Sequence, residues 1–295
     1  MKMMKGMLIA LAPAALFSIY LFRLNAVLLI IVGVAAAVAS EALYQYISKK
    51  PVKINDLSAV VTGLLLALTV SPTLPLYAVA AGSIVGIVIG KQVFGGYGKN
   101  ILNPALFGRL FIIYAFPGTM SPWLTPIDGL TSATPLQVFR EEGTMRPLYD
   151  LLIGVIPGSI GETSALLLLI GAVWLIYKKY ANWRIPAGVV AAVIIVSLLT
   201  GQSILFHLLS GSLILGAFFM ATDPITSPKT QPGRYVFGFG VGIIIMAMRL
   251  WGWLPEGTTF AIIGMNLLVP LINRYIRLEN KKEKKEKKKE KEESG

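Results

Sequence analysis

Apolar runs approaching 20 residues recur along this chain of 295 residues, and they decide what it can fold into. A helix that spans a bilayer takes roughly 20 apolar residues. About ten segments of this kind are legible, at 7–22, 25–46, 57–71, 76–93, 102–116, 163–177, 185–200, 203–221, 235–250 and 258–273. Only 14% of the residues are charged, against about 25% in a soluble domain. The sequence therefore reads as an all-α polytopic membrane protein with about ten transmembrane segments. The third and fifth are short, which suits tilted or re-entrant pieces. Irregular backbone is tolerated at that depth only where protein or water covers its polar groups. The first run follows Lys2 and Lys5 and shows no small-residue cleavage site before Arg23 and Asn25, so it is expected to stay in the mature protein.

Lysine and arginine set the expected orientation. With the N terminus in the cytoplasm, the inner loops carry Lys49, Lys50 and Lys53, then Lys91 and Lys99, then Lys178, Lys179 and Arg184, then Lys229 and Arg234. The outer side receives only Arg23, Arg140, Arg146 and Arg249. The domain plan that follows is one membrane domain over 1–275, with halves at about 1–116 and 163–275 joined by an outer loop, 117–162. Residues 276–295 form a charged cytoplasmic tail. Its eight lysines between Lys281 and Lys291 alternate with glutamates. No aromatic residues interleave with them, so the tail reads as a solvated helical extension and not as a nucleic-acid site.

Cysteine is absent and His207 is the single histidine. Thiol catalysis, cysteine-held iron–sulfur clusters and histidine metal centres are thereby excluded within this chain. No residue is expected to act as a metal ligand or as a catalytic group of its own. If the protein handles electrons, the carrier is organic or sits on a different polypeptide.

An internal repeat is visible. Gly63 to Pro75 resembles Gly216 to Pro228 at an offset of 153 residues, and Asn103-Pro104 finds a looser echo in Asn266 to Pro270. With the segment count above, the two halves run in opposite senses as inverted five-helix repeats, an arrangement that places binding sites and pathways near the midplane. Ionisable and amide side chains fall within or at the ends of apolar segments: Glu41, Asn103, Arg109, His207, Asp223, Arg249 and Asn266. Each is costly in hydrocarbon unless paired or wetted. Glu41 and Arg249, near segment ends, are expected to snorkel; Arg109 and Asp223 suit ion pairs or a conducting path; His207 suits helix packing. Glu162, just before the sixth segment, is expected at a helix N-terminus, where the dipole stabilises an anion.

The polar stretch Asp128 to Pro135 stands apart, with hydroxyls at Thr131, Ser132 and Thr134. Thr134 precedes a proline, which pushes its backbone toward an extended form. Two readings stay open on these residues alone. One is a turn before a short amphipathic helix, capped by Thr131 or Ser132. The other is an exposed threonine offered to a modifying enzyme.

Five stretches carry a family resemblance: Gly95 to Ala105, Asp128 to Thr134, Gly158 to Ser164, Ala221 to Pro228, and Arg249 to Gly257 with Asn266. With them the chain resembles the family that comprises the D subunits of Rnf-type ion-translocating oxidoreductase complexes and, more distantly, the B subunits of the sodium-pumping NADH:quinone reductase. The resemblance implies a fold related to that of urea transporters. It implies FMN bound through a phosphoester to Thr134, with Asp128 helping a flavin transferase recognise its substrate. The family usually has glycine where Ser132 stands. Glu162 is implied to act at the flavin or cation site. The resemblance also allows a noncovalent riboflavin among the helices, whose position no residue fixes. The implied function is a membrane electron-transfer subunit of a ferredoxin:NAD⁺ oxidoreductase complex that moves Na⁺ or H⁺. Its implied partners are the other subunits, the flavin transferase and the lipid bilayer of the cytoplasmic membrane. A competing reading is a small-solute channel or carrier of the same fold, for which the Asp128–Thr134 motif has no use. A third is a passive assembly scaffold with a vestigial motif.

Overall fold

The computed structural model describes residues 2–120, 123–126, 130–162, 164–252 and 256–293, with side chains described as far as 276. Helices dominate. α1 (Lys2–Ile47) takes up the first two apolar segments in one run, but Arg23 at φ 50, ψ −127 breaks it into two helical arms. Each arm is close to the roughly 20 residues a span requires. α2 (Ser58–Leu68) and α3 (Leu76–Ile87) follow, and α3 continues into a π-helical turn at Val88–Gln92. α4 (Pro104–Ala115) starts at the Asn103-Pro104 pair because the asparagine side chain caps the backbone N–H groups of Ala105 and Leu106. Proline at the first helical position loses nothing there, since that N–H has no intrahelical partner anyway.

Between the halves lies a small hairpin. β1 (Trp123–Leu124) pairs antiparallel with β2 (Thr131–Ser132), Trp123 opposite Ser132 and Leu124 opposite Thr131. α5 (Pro135–Glu142) and α6 (Leu148–Ile153) are short. The second half then runs through α7 (Ala165–Tyr177), α8 (Arg184–Thr200), α9 (Ile204–Leu209) and the single turn α10 (Leu213–Leu215). A π-helical turn at Gly216–Met220 follows, then α11 (Gln231–Leu250) and α12 (Thr258–Glu293).

Among the described residues, three helical stretches are long and apolar enough to cross a membrane: Lys2–Ile47, Gln231–Leu250 and Thr258–Ile276. The other apolar helices are shorter. α2 has 11 residues, about 16 Å at 1.5 Å per residue, which is half of a roughly 30 Å hydrocarbon core. It is buried on every face but that of Val60, so it sits inside the bundle as a central plug. The predicted eighth segment, 203–221, is also not one helix. It divides into α9, a non-helical step at Ser210, α10 and the π turn, because Ser210, Gly211 and Ser212 favour turn over helix.

The packing is close where glycines face backbone. A Cβ at Gly63 would lie 2.6 Å from the Gly33 carbonyl oxygen, which ties α2 against the second arm of α1. Gly238 on α11 meets the Ile185 carbonyl of α8 in the same way. Such crossings replace the hydrophobic drive that helices lack in lipid with van der Waals contact. One large apolar cluster joins both halves, from Leu11 and Leu66 to Phe219 and Ile262. A separate small one, centred on Leu136, Leu151, Ile156 and Phe206, holds α5 and α6 against α9.

Candidate functional site

Thr134 adopts the extended backbone that the following proline demands, at φ −67, ψ 157. Its surroundings differ from expectation in two ways. The cap of α5 is Thr134 itself, whose hydroxyl accepts the Gln137 N–H at 3.2 Å; Thr131 and Ser132 are in β2 and cap nothing. Thr134 is also buried, at 4% exposure, and not exposed. The cause is α5, which begins immediately and drops Leu136 and Phe139 onto α9, with Phe139 5.1 Å from Phe206. Ser132 is half-buried in the hairpin. Asp128 lies outside the described residues.

Beneath α5 is a layer of buried charge. Leu136 and the Arg249 guanidinium both crowd Gly211: a Cβ there would be 2.7 Å from Leu136 Cδ1 and 3.5 Å from Arg249 Nη2. Arg249 donates to the carbonyls of His207 and Ser210 and is 3% exposed, so it is locked into the α9–α10 step and does not snorkel. Arg109 on α4 donates to Glu256 at 2.7 Å and lies 3.8 Å from Glu162. Glu162 is not a helix-terminus anion: Ser164 caps α7, and the carboxylate turns instead to Arg109. Burial, then Glu256, pushes the Glu162 carboxyl up to about 8, against the pull of Arg109. Among the described residues, neither of its oxygens has a partner at hydrogen-bond geometry, and the Nε atoms of Arg109 and Arg249 lack one too. His207 packs between Phe139 and Phe206, at 5.5 and 5.4 Å, as a helix-packing residue.

A second polar layer lies nearer the N-terminal end of α1. The two asparagines of the repeat meet: the Asn103 N–H donates to Asn266 Oδ1 at 3.1 Å. Their amide groups then reach across, Asn103 to the Met220 carbonyl and Asn266 to the Thr226 carbonyl. Those carbonyls flank Asp223, whose carboxylate accepts from the Thr226 hydroxyl and the Ile225 N–H. The pair therefore ties the start of α4 and an interior position of α12 to the irregular chain after the π turn. Next to it is a cavity of about 60 Å³ lined by Lys91, Tyr97, Asn103 and Asp223 among others.

Glu41 does not snorkel either. It is 1% exposed and pairs with Lys91 at 2.8 Å, while Gln92 adds a hydrogen bond at 2.7 Å. Lys91 also donates to Ser58. Lys91 thus drops out of the inner-loop charge count. Its place within an apolar segment, 76–93, is the sequence signal that it needs a buried partner. Glu256, the third member of the Arg109 cluster, falls within the Arg249 to Gly257 motif, but nothing in the sequence gives it a role.

The residue pattern has relatives. The family model described as the NQR2, RnfD, RnfE family matches residues 1–282. The chain is 43% identical over 282 residues to the D subunit of the Na(+)-translocating ferredoxin:NAD(+) oxidoreductase complex of Acetobacterium woodii, covering 94% of this chain and 89% of that one. It is 39% identical over 296 residues to the D subunit of the proton-translocating ferredoxin:NAD(+) oxidoreductase complex of Clostridium ljungdahlii, covering 93% and 89%. It is 40% identical over 243 residues to the B subunit of the Na(+)-translocating NADH-quinone reductase of Ectopseudomonas mendocina, covering 75% and 60%.

Proposed function

The chain belongs to the NQR2, RnfD, RnfE family, and from that premise we propose that it is a membrane electron-transfer subunit of an ion-translocating ferredoxin:NAD⁺ oxidoreductase complex, carrying FMN in phosphoester linkage to Thr134. The observation that carries this reading is the place of Thr134: a hydroxyl at the N-terminal end of α5, whose Leu136 crowds Gly211 together with the buried Arg249. The relatives are named as oxidoreductase subunits, which disfavours the channel reading.

The residues present fit the phosphate end of the group. A phosphoester at the helix N-cap sits in the positive end of the α5 dipole. The esterified oxygen keeps a lone pair for the Gln137 N–H that it accepts now. Arg249, behind Gly211, is a fixed cation with an unpartnered Nε. The hydroxyl is buried as the loop stands, so esterification requires the first turn of α5 to lift. The small cluster under α5 is separate from the main core, so this opening leaves the bundle packed. Bound there, a flavin supplies one-electron transfer between carriers that exchange one or two electrons. The chain's own part is to anchor the phosphate, exclude water with Leu136 and Phe139, and hold charge balance through Arg109 and Glu256, with Glu162 beside them. A noncovalent riboflavin among the helices stays part of the proposal, with no residue that fixes its position.

The proposed architecture is ten segments in two inverted halves. The two arms of α1, α2, α3 and α4 correspond in order to α7, α8, α10 with its π turn, α11 and α12. The hydrogen bond from the Asn103 N–H to the Asn266 side chain, which joins the two echoing positions, supports the correspondence. The termini are proposed to be cytoplasmic, the flavin loop on the outer face, and the other partners the complex's remaining subunits and a flavin transferase. The direct test is mass spectrometry of the peptide containing Thr134 from protein made alongside a flavin transferase. A mass increase of one FMN less water on Thr134 is expected; an unmodified peptide from a turnover-competent complex overturns the reading.

A further inference from the structure

A pocket of about 500 Å³ opens between the α7–α8 connection and the chain that follows the second π turn, beside the first turn of α1. Three cations line it: Lys179, Arg184 and Arg234, with Tyr180, Asn182 and Trp183 between them. Among the described residues none of the three forms an ion pair, and no acidic side chain lines the pocket. The cations are also positioned. Arg184 lies over the Trp183 ring at 5.1 Å, and Arg234 is fixed by one edge, its Nε donating to the Pro228 carbonyl at 3.1 Å. Three unpaired cations around one cavity repel each other, and an anion among them removes that cost.

The location selects the anion. α7 ends at Tyr177 and α8 begins at Arg184, so the pocket sits where two apolar helices leave the hydrocarbon. Tyr177 and Trp183 are exposed at that level, as aromatic residues are at headgroup depth. Ile170 and Val173 of α7 are exposed below it and offer an apolar track for acyl chains. The volume lies within the range of small-ligand sites. The geometry points to a headgroup site for an anionic phospholipid, its phosphodiester held by Lys179, Arg184 and Arg234.

The test uses the full chain in mild detergent, native mass spectrometry, and titration with dioleoyl phosphatidylglycerol or dioleoyl phosphatidylcholine. Phosphatidylglycerol is expected to be retained over phosphatidylcholine. Each cation removed should weaken its binding about fivefold: about fivefold for Lys179→Gln, whose exposed side chain is no part of the packing, and about 25-fold for Arg184→Gln with Arg234→Gln. Lys50→Gln with Lys53→Gln, in an exposed basic loop, should change it less than about twofold. Equal retention of the two lipids overturns the assignment, as does an equal loss in the Lys50/Lys53 control. Phosphorus NMR with inorganic phosphate separates the sources. If Lys179→Gln abolishes phosphate binding while phosphatidylglycerol stays bound, the site belongs to a soluble phosphate and the lipid assignment falls.

Discussion

Replacing Thr134 by valine removes two things at once, and a second substitution separates them. The hydroxyl is the proposed ester oxygen, and it is also the cap that accepts the Gln137 N–H at 3.2 Å. Loss of a threonine cap costs about 1 kcal/mol. In a chain of this size that lowers Tm by about 2–4 °C, because α5 rests on its own small cluster and the main core is untouched. Thr134→Val is therefore expected to insert, fold and lose all covalent flavin, with a small drop in Tm. Thr134→Asp restores a capping oxygen but offers no hydroxyl to esterify. It should recover the lost stability and remain free of flavin. The assays are in-gel flavin fluorescence of denatured protein and thermal unfolding followed by size-exclusion chromatography. Covalent flavin persisting in Thr134→Val refutes the tether. A collapse of membrane insertion in Thr134→Val that Thr134→Asp also shows refutes the claim that α5 docks independently of the bundle.

The buried Glu41–Lys91 pair, both members within 2% exposure, should behave as a unit. Lys91→Met leaves a buried carboxylate with amide donors alone and should cost about 3–5 kcal/mol, whereas Lys91→Met with Glu41→Gln should recover most of it. A double variant no more stable than the single one in thermal unfolding rejects the coupling. Glu162 titrates upward from an ordinary carboxylate value because it is buried beside Glu256. Its raised folded-state value means that its contribution to stability is full below about 4.5 and is lost as pH rises through about 8. Glu162→Gln should flatten Tm against pH across that window, and an unchanged slope removes Glu162 from the account. The absence of cysteine makes topology directly readable. Thr144→Cys, exposed after α5, should react with an impermeant maleimide added outside intact cells, and Lys50→Cys only after permeabilisation. The reverse pattern inverts the proposed orientation.

The elements legible in the sequence are those whose signals are local. The fifth apolar segment starts where α4 does, because the Asn103 cap and Pro104 act within one turn, whereas α5 is capped by Thr134 and not by Thr131 or Ser132 as the sequence suggests. The break at Arg23 falls between two apolar runs. Irregular helix leaves no such local mark. Gly216–Met220 and Val88–Gln92 are apolar enough to pass for ordinary helix, and only packing decides that they widen into π turns. The shortness of the plug α2 is visible in its apolar run, yet its burial on nearly every face follows from neighbours far away along the chain.

The site divides along the same line. Arg109, Glu162, Asp223 and Arg249 each stand out because an ionisable group in or beside an apolar run is costly, but cost does not name a partner. The partners are 147 residues apart for Arg109 and Glu256, and 50 apart for Lys91 and Glu41. No periodicity connects such pairs; the fold does. The Asn103–Asn266 contact is the exception. It is visible as a repeat in the sequence, and the two echoing positions meet in the structure. There the Asn103 N–H donates to the Asn266 side-chain oxygen Oδ1, and each amide group reaches the irregular chain around Asp223. A polar crossing inside an apolar bundle survives because its groups are paired, the Asn103 N–H by the Asn266 side chain and the two amide groups by the Met220 and Thr226 carbonyls. Removing the Asn266 side chain therefore leaves the Asn103 N–H and the Thr226 carbonyl unpaired, and removing that of Asn103 does the same to the Ala105 and Leu106 N–H groups and the Met220 carbonyl.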